Sequence, residues 1–76
     1  MRTMDFTMVR SGLVTEGQKV KVVEGKVAAN YYYTIDPAVA MSANYSKAER
    51  LSSTEGIVKE IKETPRGFFV VVEFDE

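Results

Sequence analysis

The segment Phe68-Phe69-Val70-Val71-Val72-Glu73-Phe74 constrains this chain most, because it is apolar on both faces of an extended strand. Side chains alternate across a strand, so Phe68, Val70, Val72 and Phe74 share one face. Phe69 and Val71 make the other face apolar as well, until Glu73. The run Gly56 to Glu63 precedes it, and Thr64-Pro65-Arg66-Gly67 joins the two. Pro at the second turn position and Gly at the fourth are type I turn chemistry, with Gly67 suited to a left-handed bulge. Ile57, Val58 and Ile61 also fit helical spacing, but Gly56, Pro65 and the β-branched content decide for a strand. The spacing therefore predicts a β-hairpin over 56–74.

A small barrel has one interior, so a strand that is apolar on both faces calls for a second cover. Three covers are open. The segment 36–54 folds back with Val39, Met41 and Leu51, or the first strand lies there with Met4, Phe6 and Met8, or another chain docks. Burying such a side chain contributes roughly 1.5–3 kcal/mol. Lys62, Pro65, Arg66, Glu73 and Asp75 flank the strand as gatekeepers against aggregation.

Upstream, Met4, Phe6 and Met8 alternate with polar residues, the period of a half-buried strand. Gln18 to Glu24 reads as a second strand, and Glu24-Gly25 as a tight turn or a bulge. Val27 to Ile35 reads as a third, its three consecutive tyrosines favouring extended backbone. Asp36-Pro37 then changes the regime, since Asp caps a helix with Pro at its first position. Ala38 to Met41 would supply a turn or two. Ser46-Lys47-Ala48-Glu49 fits a capping box for a second short helix reaching Ser52. A single irregular loop through 36–54 is the competing reading. The fold class expected is mainly β: a small SH3-like or partly open barrel of about five strands with a helical or loop insertion at 37–52.

With 76 residues, one small β domain spanning 1–76 is expected. Cys and His are both 0, which removes disulfides, Cys/His zinc sites, a Cys nucleophile and a His general base. Gly12-Leu13-Val14-Thr15-Glu16-Gly17-Gln18-Lys19 misses the phosphate-loop pattern at Gln18 and leads into a strand instead of a helix. Glu60/Glu63 and Glu73/Asp75/Glu76 are interleaved with Lys or crowd one end, where water leaves carboxylates ordinary. An enzyme is not expected, nor is any cofactor or metal. No apolar run nears the ~20 residues of a membrane span, and no secretion signal precedes Gly12. With no Cys, a cytoplasmic location is expected.

Two pieces of the chain resemble the KOW or SH3-like small β-barrels. One is Gly17-Gln18-Lys19-Val20-Lys21-Val22; the other is Gly56-Ile57-Val58-Lys59-Glu60-Ile61, of the form G-x-V-x-x-I, with its hairpin into Val70–Asp75. The resemblance implies a barrel that binds RNA, ribosomal or transcription machinery, or peptide partners. The long segment 25–54 and the net charge of −1 depart from the RNA-binding members.

Two binding surfaces follow. A protein-interaction or self-association surface, including a homodimer, would use Tyr32, Tyr45, Phe69 and Val71. Tyr31 and Tyr33 share the opposite parity from Tyr32 and are expected in the core. An RNA surface would use Lys19, Lys21, Lys26, Lys47, Arg50 and Arg66, with Tyr32 as a stacking platform. Residues 1–30 carry a net +2 and residues 55–76 a net −3, so the cations lean to the first half. If Lys19, Lys21 and Arg66 share one face with Tyr32, RNA is favoured; scattered positions favour protein contact.

Overall fold

In a computed structural model describing residues 1–8, 12, 14–36 and 40–76, the chain closes into a six-stranded antiparallel barrel. The strands are β1 (Arg2–Met8), β2 (Lys19–Val27), β3 (Asn30–Ile35), β4 (Ala40–Ser42), β5 (Glu55–Thr64) and β6 (Gly67–Phe74). Around the barrel they run β1-β4-β3-β2-β5-β6, and β6 returns to β1. The only helical element among the described residues is a 3-10 turn at Lys47–Glu49.

The alternation read in the sequence is what fills the interior. Met4, Phe6 and Met8 point inward from β1 and are buried. Met8 faces Ala40, Ala40 faces Ile35 and Ile35 faces Val22, giving one inward layer across β1, β4, β3 and β2. Met4 faces Val72, which faces Val58, giving another across β1, β6 and β5. Val14 and Leu51 complete the core from outside the strands.

The β5–β6 hairpin forms as expected, closing at Thr64 opposite Gly67 around Pro65-Arg66. The Thr64 hydroxyl donates to the Gly67 carbonyl at 3.1 Å, and Gly67 takes a φ of 127° that favours glycine. A register shift between Val58 and Glu60 bends β5.

The first hairpin differs from expectation. Glu24-Gly25 is neither turn nor bulge: β2 runs straight through it, in unbroken register with β3, to a two-residue turn at Ala28-Ala29. A Cβ at Gly25 would overlap the tip of the Tyr32 ring that lies across it, so a side chain there would push that ring aside. Glycine in a strand often marks such a close approach.

The insertion 36–54 holds a short strand as well as a helical turn. Residues 40–42, within the insertion expected to be helical or loop, pair as β4 with both β1 and β3 and close the barrel. Ser42 secures this strand: its hydroxyl accepts the Tyr33 N–H at 2.9 Å and donates to the Ala43 carbonyl at 2.8 Å. At Ser46 the side chain bonds the Glu49 carboxylate at 3.0 Å instead of capping an amide, and the helix stops after one turn. Pro37, Ala38 and Val39 lie outside the described residues.

The intramolecular covers expected over Phe69 and Val71 go elsewhere. The first strand pairs edge to edge with β6 and turns Met4, Phe6 and Met8 inward. Leu51 enters the core, and Met41 is exposed on the outer surface. Phe69 lies between Thr7 and Lys62, and Val71 between Asp5 and Glu60. Those neighbours leave both half-buried, with no second layer over them among the described residues.

The G-x-V-x-x-I glycine has a packing reason. A Cβ at Gly56 would stand 2.6 Å from Val72 Cγ1 and 2.8 Å from the Glu73 carbonyl oxygen. The backbone oxygen has no room to yield, so Gly56→Ala is expected to destabilise the barrel by about 1–3 kcal/mol through overpacking. Urea denaturation of the two proteins checks this; an unchanged midpoint refutes it.

Candidate functional site

Past Val22 the β2–β3 hairpin continues beyond the barrel as a two-stranded ribbon, and the segment after Tyr45 crosses its inner side. The parity that buries Val22 and Ile35 also places Glu24, Tyr33, Lys26 and Tyr31 on that side. Tyr33 is 1% exposed, yet its hydroxyl reaches two polar groups. It donates to Glu24 Oε2 at 2.9 Å and accepts the Leu51 N–H at 2.7 Å. Arg50 grips the same carboxylate with two parallel bonds, Nε to Oε2 at 2.8 Å and Nη2 to Oε1 at 2.7 Å. The Arg50 guanidinium also lies over the Tyr31 ring, 4.6 Å from its centroid.

A second cluster adjoins the first. Tyr45 forms a two-bond bridge with Tyr31, N–H to carbonyl at 2.8 and 2.7 Å. Its ring lies 6.3 Å from that of Tyr33 and 5.8 Å from the Arg2 guanidinium. Arg2 donates to the Glu49 and Arg50 carbonyls and pairs with Glu76 at 3.6 Å. Glu76 in turn accepts the Ser52 and Ser53 amides at 3.0 and 2.7 Å.

The electrostatics follow the contacts. The Arg50 hydrogen bonds hold the Glu24 carboxyl below the usual carboxylate range, with Tyr33 adding to them against a smaller opposing effect of burial. Arg50 is correspondingly pushed up. Burial pushes the Tyr33 and Tyr45 phenols up. For Glu76, burial acts upward, but the Ser53 and Ser52 bonds and Arg2 together leave it lowered. Beside the network lies an open cleft of about 290 Å³ lined by Val22, Glu24, Tyr33, Arg50 and residues 51–54. Every buried side-chain polar atom among the described residues has a partner, and none of their acidic clusters could hold a metal ion.

The sequence-selected residues do not converge here. Tyr45 is half-buried beneath Arg2, and Arg50 is neutralised by Glu24, so neither offers a free ring or cation. Lys19 and Lys21 lie on the outer face of β2, the face that also carries Tyr32 on β3. Lys19 pairs with Glu55 at 3.6 Å. Lys26 lies on the inner side of the ribbon, and Lys47 on the 3-10 turn. Arg66 caps the far hairpin, seven residues along β5 from Ile57, the partner of Lys19; at about 3.3 Å per residue that is ~23 Å. Lys21, Lys26, Lys47 and Arg66 form no ion pair among the described residues. Glu24, Tyr33 and Arg2 went unselected, because nothing local in the sequence links Glu24 to a residue 26 positions away.

Two outcomes test this network. Tyr33→Phe strands the Leu51 amide and is expected to cost about 1–3 kcal/mol in urea denaturation. A lowered carboxyl contributes stability at neutral pH that is lost as pH falls through its folded value. The urea midpoint of the wild type is therefore expected to drop more steeply than that of Glu24→Gln between neutral pH and about pH 3. Parallel curves would remove Glu24 as an acid-sensitive tie.

No family model, no curated protein and no solved structure matches this chain.

Proposed function

We propose that this barrel, of the SH3-like and KOW-like kind, is a non-catalytic module that contacts protein, foremost a second copy of itself. One observation carries the reading: large apolar residues stand exposed on the outer sheet surface instead of in the core. Val23 is 58% exposed, Met41 53% and Val27 51%. Val23 and Met41 share one cross-strand row with the half-buried Phe69, with threonines between them: Val23 faces Thr34, Thr34 faces Met41, Met41 faces Thr7 and Thr7 faces Phe69. Val71 follows Phe69 on the same face of β6, flanked by Asp5 and Glu60. Large apolar side chains gathered on one outer surface of a small protein favour a protein contact. The distribution of cations supports the same reading, since Arg50 is engaged and Arg66 is remote from Lys19 and Lys21. A protein with these contacts and no cysteine suits the cytoplasm.

A second reading, KOW-like RNA binding, draws on one observation: Lys19 and Lys21 share the outer face with Tyr32. It predicts affinity that falls as salt rises, because phosphate contacts release counterions. The two readings part in solution. Under the first, light scattering gives a mass that climbs from 8.5 kDa with concentration, and single-stranded RNA fails to bind at low salt. A mass fixed at 8.5 kDa, with salt-sensitive RNA binding that is lost in Lys19→Ala/Lys21→Ala, transfers the function to RNA.

A further inference from the structure

From Tyr45 to Thr54 the chain crosses the ribbon as a strap whose two ends are fixed in a way its middle is not. At one end Tyr45 exchanges both main-chain bonds with Tyr31. At the other the Thr54 carbonyl accepts the Val22 N–H at 2.9 Å, and β5 begins at Glu55. Between them, among the described residues, no main-chain bond joins residues 46–53 to the barrel. The two main-chain bonds found there, Glu49 to Ser46 and Arg50 to Lys47, stay within the strap. The ties to the barrel pass through side chains instead. Arg2 donates to the Glu49 and Arg50 carbonyls, the Tyr33 hydroxyl accepts the Leu51 N–H, and Glu76 accepts the Ser52 and Ser53 N–H groups. The Arg50 side chain reaches out to Glu24. Little packing backs these bonds, since Leu51 alone of residues 46–53 is buried in the core. The cleft of about 290 Å³ already opens along residues 50–54.

We propose that residues 46–53 open as one unit while the barrel stays closed, hinging at the Tyr45 bridge and at Thr54. The ties act together because they share partners. The Tyr33 hydroxyl bonds both Leu51 and Glu24, and Glu24 holds the Arg50 side chain. Arg2 holds the Arg50 carbonyl and pairs with Glu76, which holds both serine amides. Each bond orients the group that makes the next, so loss of one loosens the others. Exposed bonds with few apolar contacts mark the segments that open at the least cost. The strands behave oppositely: Val70 is fully buried and paired on both sides, with Phe6 and with Ile61. Opening lifts Leu51 from the core, frees the Tyr33 hydroxyl and joins the vacated seat to the cleft. The mouth then has an apolar floor and a polar rim, which is the make-up of a small-ligand site. This device is independent of what the outer surface contacts.

Amide hydrogen exchange of the full chain, followed by NMR, tests the unit. The protection factors of Leu51, Ser52 and Ser53 are expected to agree within about 3-fold and to lie at least ~10-fold below that of Val70. Glu24 bonds neither serine amide, yet in Glu24→Gln all three are expected to fall together by at least ~3-fold. Glu76 does not bond Leu51, yet Glu76→Gln is expected to lower Leu51 along with the serines. Circular dichroism checks that both variants keep the barrel. Separate ties overturn the proposal: they would confine the effect of Glu24→Gln to Leu51 and that of Glu76→Gln to Ser52 and Ser53. Two results in the wild type alone also overturn it. Strap amides as protected as Val70 would open only with the whole barrel, and unprotected ones would mean that the strap is never closed.

Discussion

The Tyr33 hydroxyl is the interaction on which the open end of this barrel depends. A phenol reaching outward from the core joins three chain segments that share no local sequence: β3, Glu24 on β2, and the Leu51 amide of the returning strap. Everything around it is secondary to that placement. Arg50 is positioned by the carboxylate that Tyr33 orients, Tyr31 is covered by Arg50, and Tyr45 is held against both by its bridge to Tyr31. The ring provides the apolar area that fills the mouth, and the oxygen provides the polar partner the strap needs where water is scarce.

Aromatics beside cations serve contacts within the chain at this mouth. Tyr31, Tyr45, Arg2 and Arg50 have the composition of a stacking platform, yet each is spent on a neighbour within the chain. Among the described residues, Lys21, Lys26, Lys47 and Arg66, which form no ion pair, are spread over the outer face of β2, the ribbon, the 3-10 turn and the distal hairpin. The exposed Val23 and Met41 share one row with Phe69, with Thr34 and Thr7 between them.

Much of the architecture was legible where local rules agree. The period-2 pattern of Met4, Phe6 and Met8, the Thr64–Gly67 turn and the inward parity of Tyr33 and Ile35 all survive. The failures share one cause: local preference yielded to a distant contact. Gly25 looked like a turn because glycine usually makes one, but it is where Tyr32 needs room, and the turn falls instead on Ala28 at a φ of 53°. Ala40–Ser42 looked helical beside Asp36-Pro37, but the gap between β1 and β3 recruits it as a strand. The Glu24–Arg50–Tyr33 group could not be read at all, since its members meet only after the strap has crossed the ribbon.

The strand order also governs when the fold can exist. β1 is the first strand in the chain, and it must pair with β6, the last. The meander from β2 to β4 and the hairpin of β5 and β6 can each assemble from near neighbours, but closure waits for the most distant pairing in the sequence. Such non-local closure slows folding, because loop entropy is spent before the contacts return it. Until β1 docks, the edge of β6 that carries Phe69 and Val71 lies bare. Charges beside that strand then have their main task before the native state is reached, as guards of a surface that the finished barrel no longer shows as an edge.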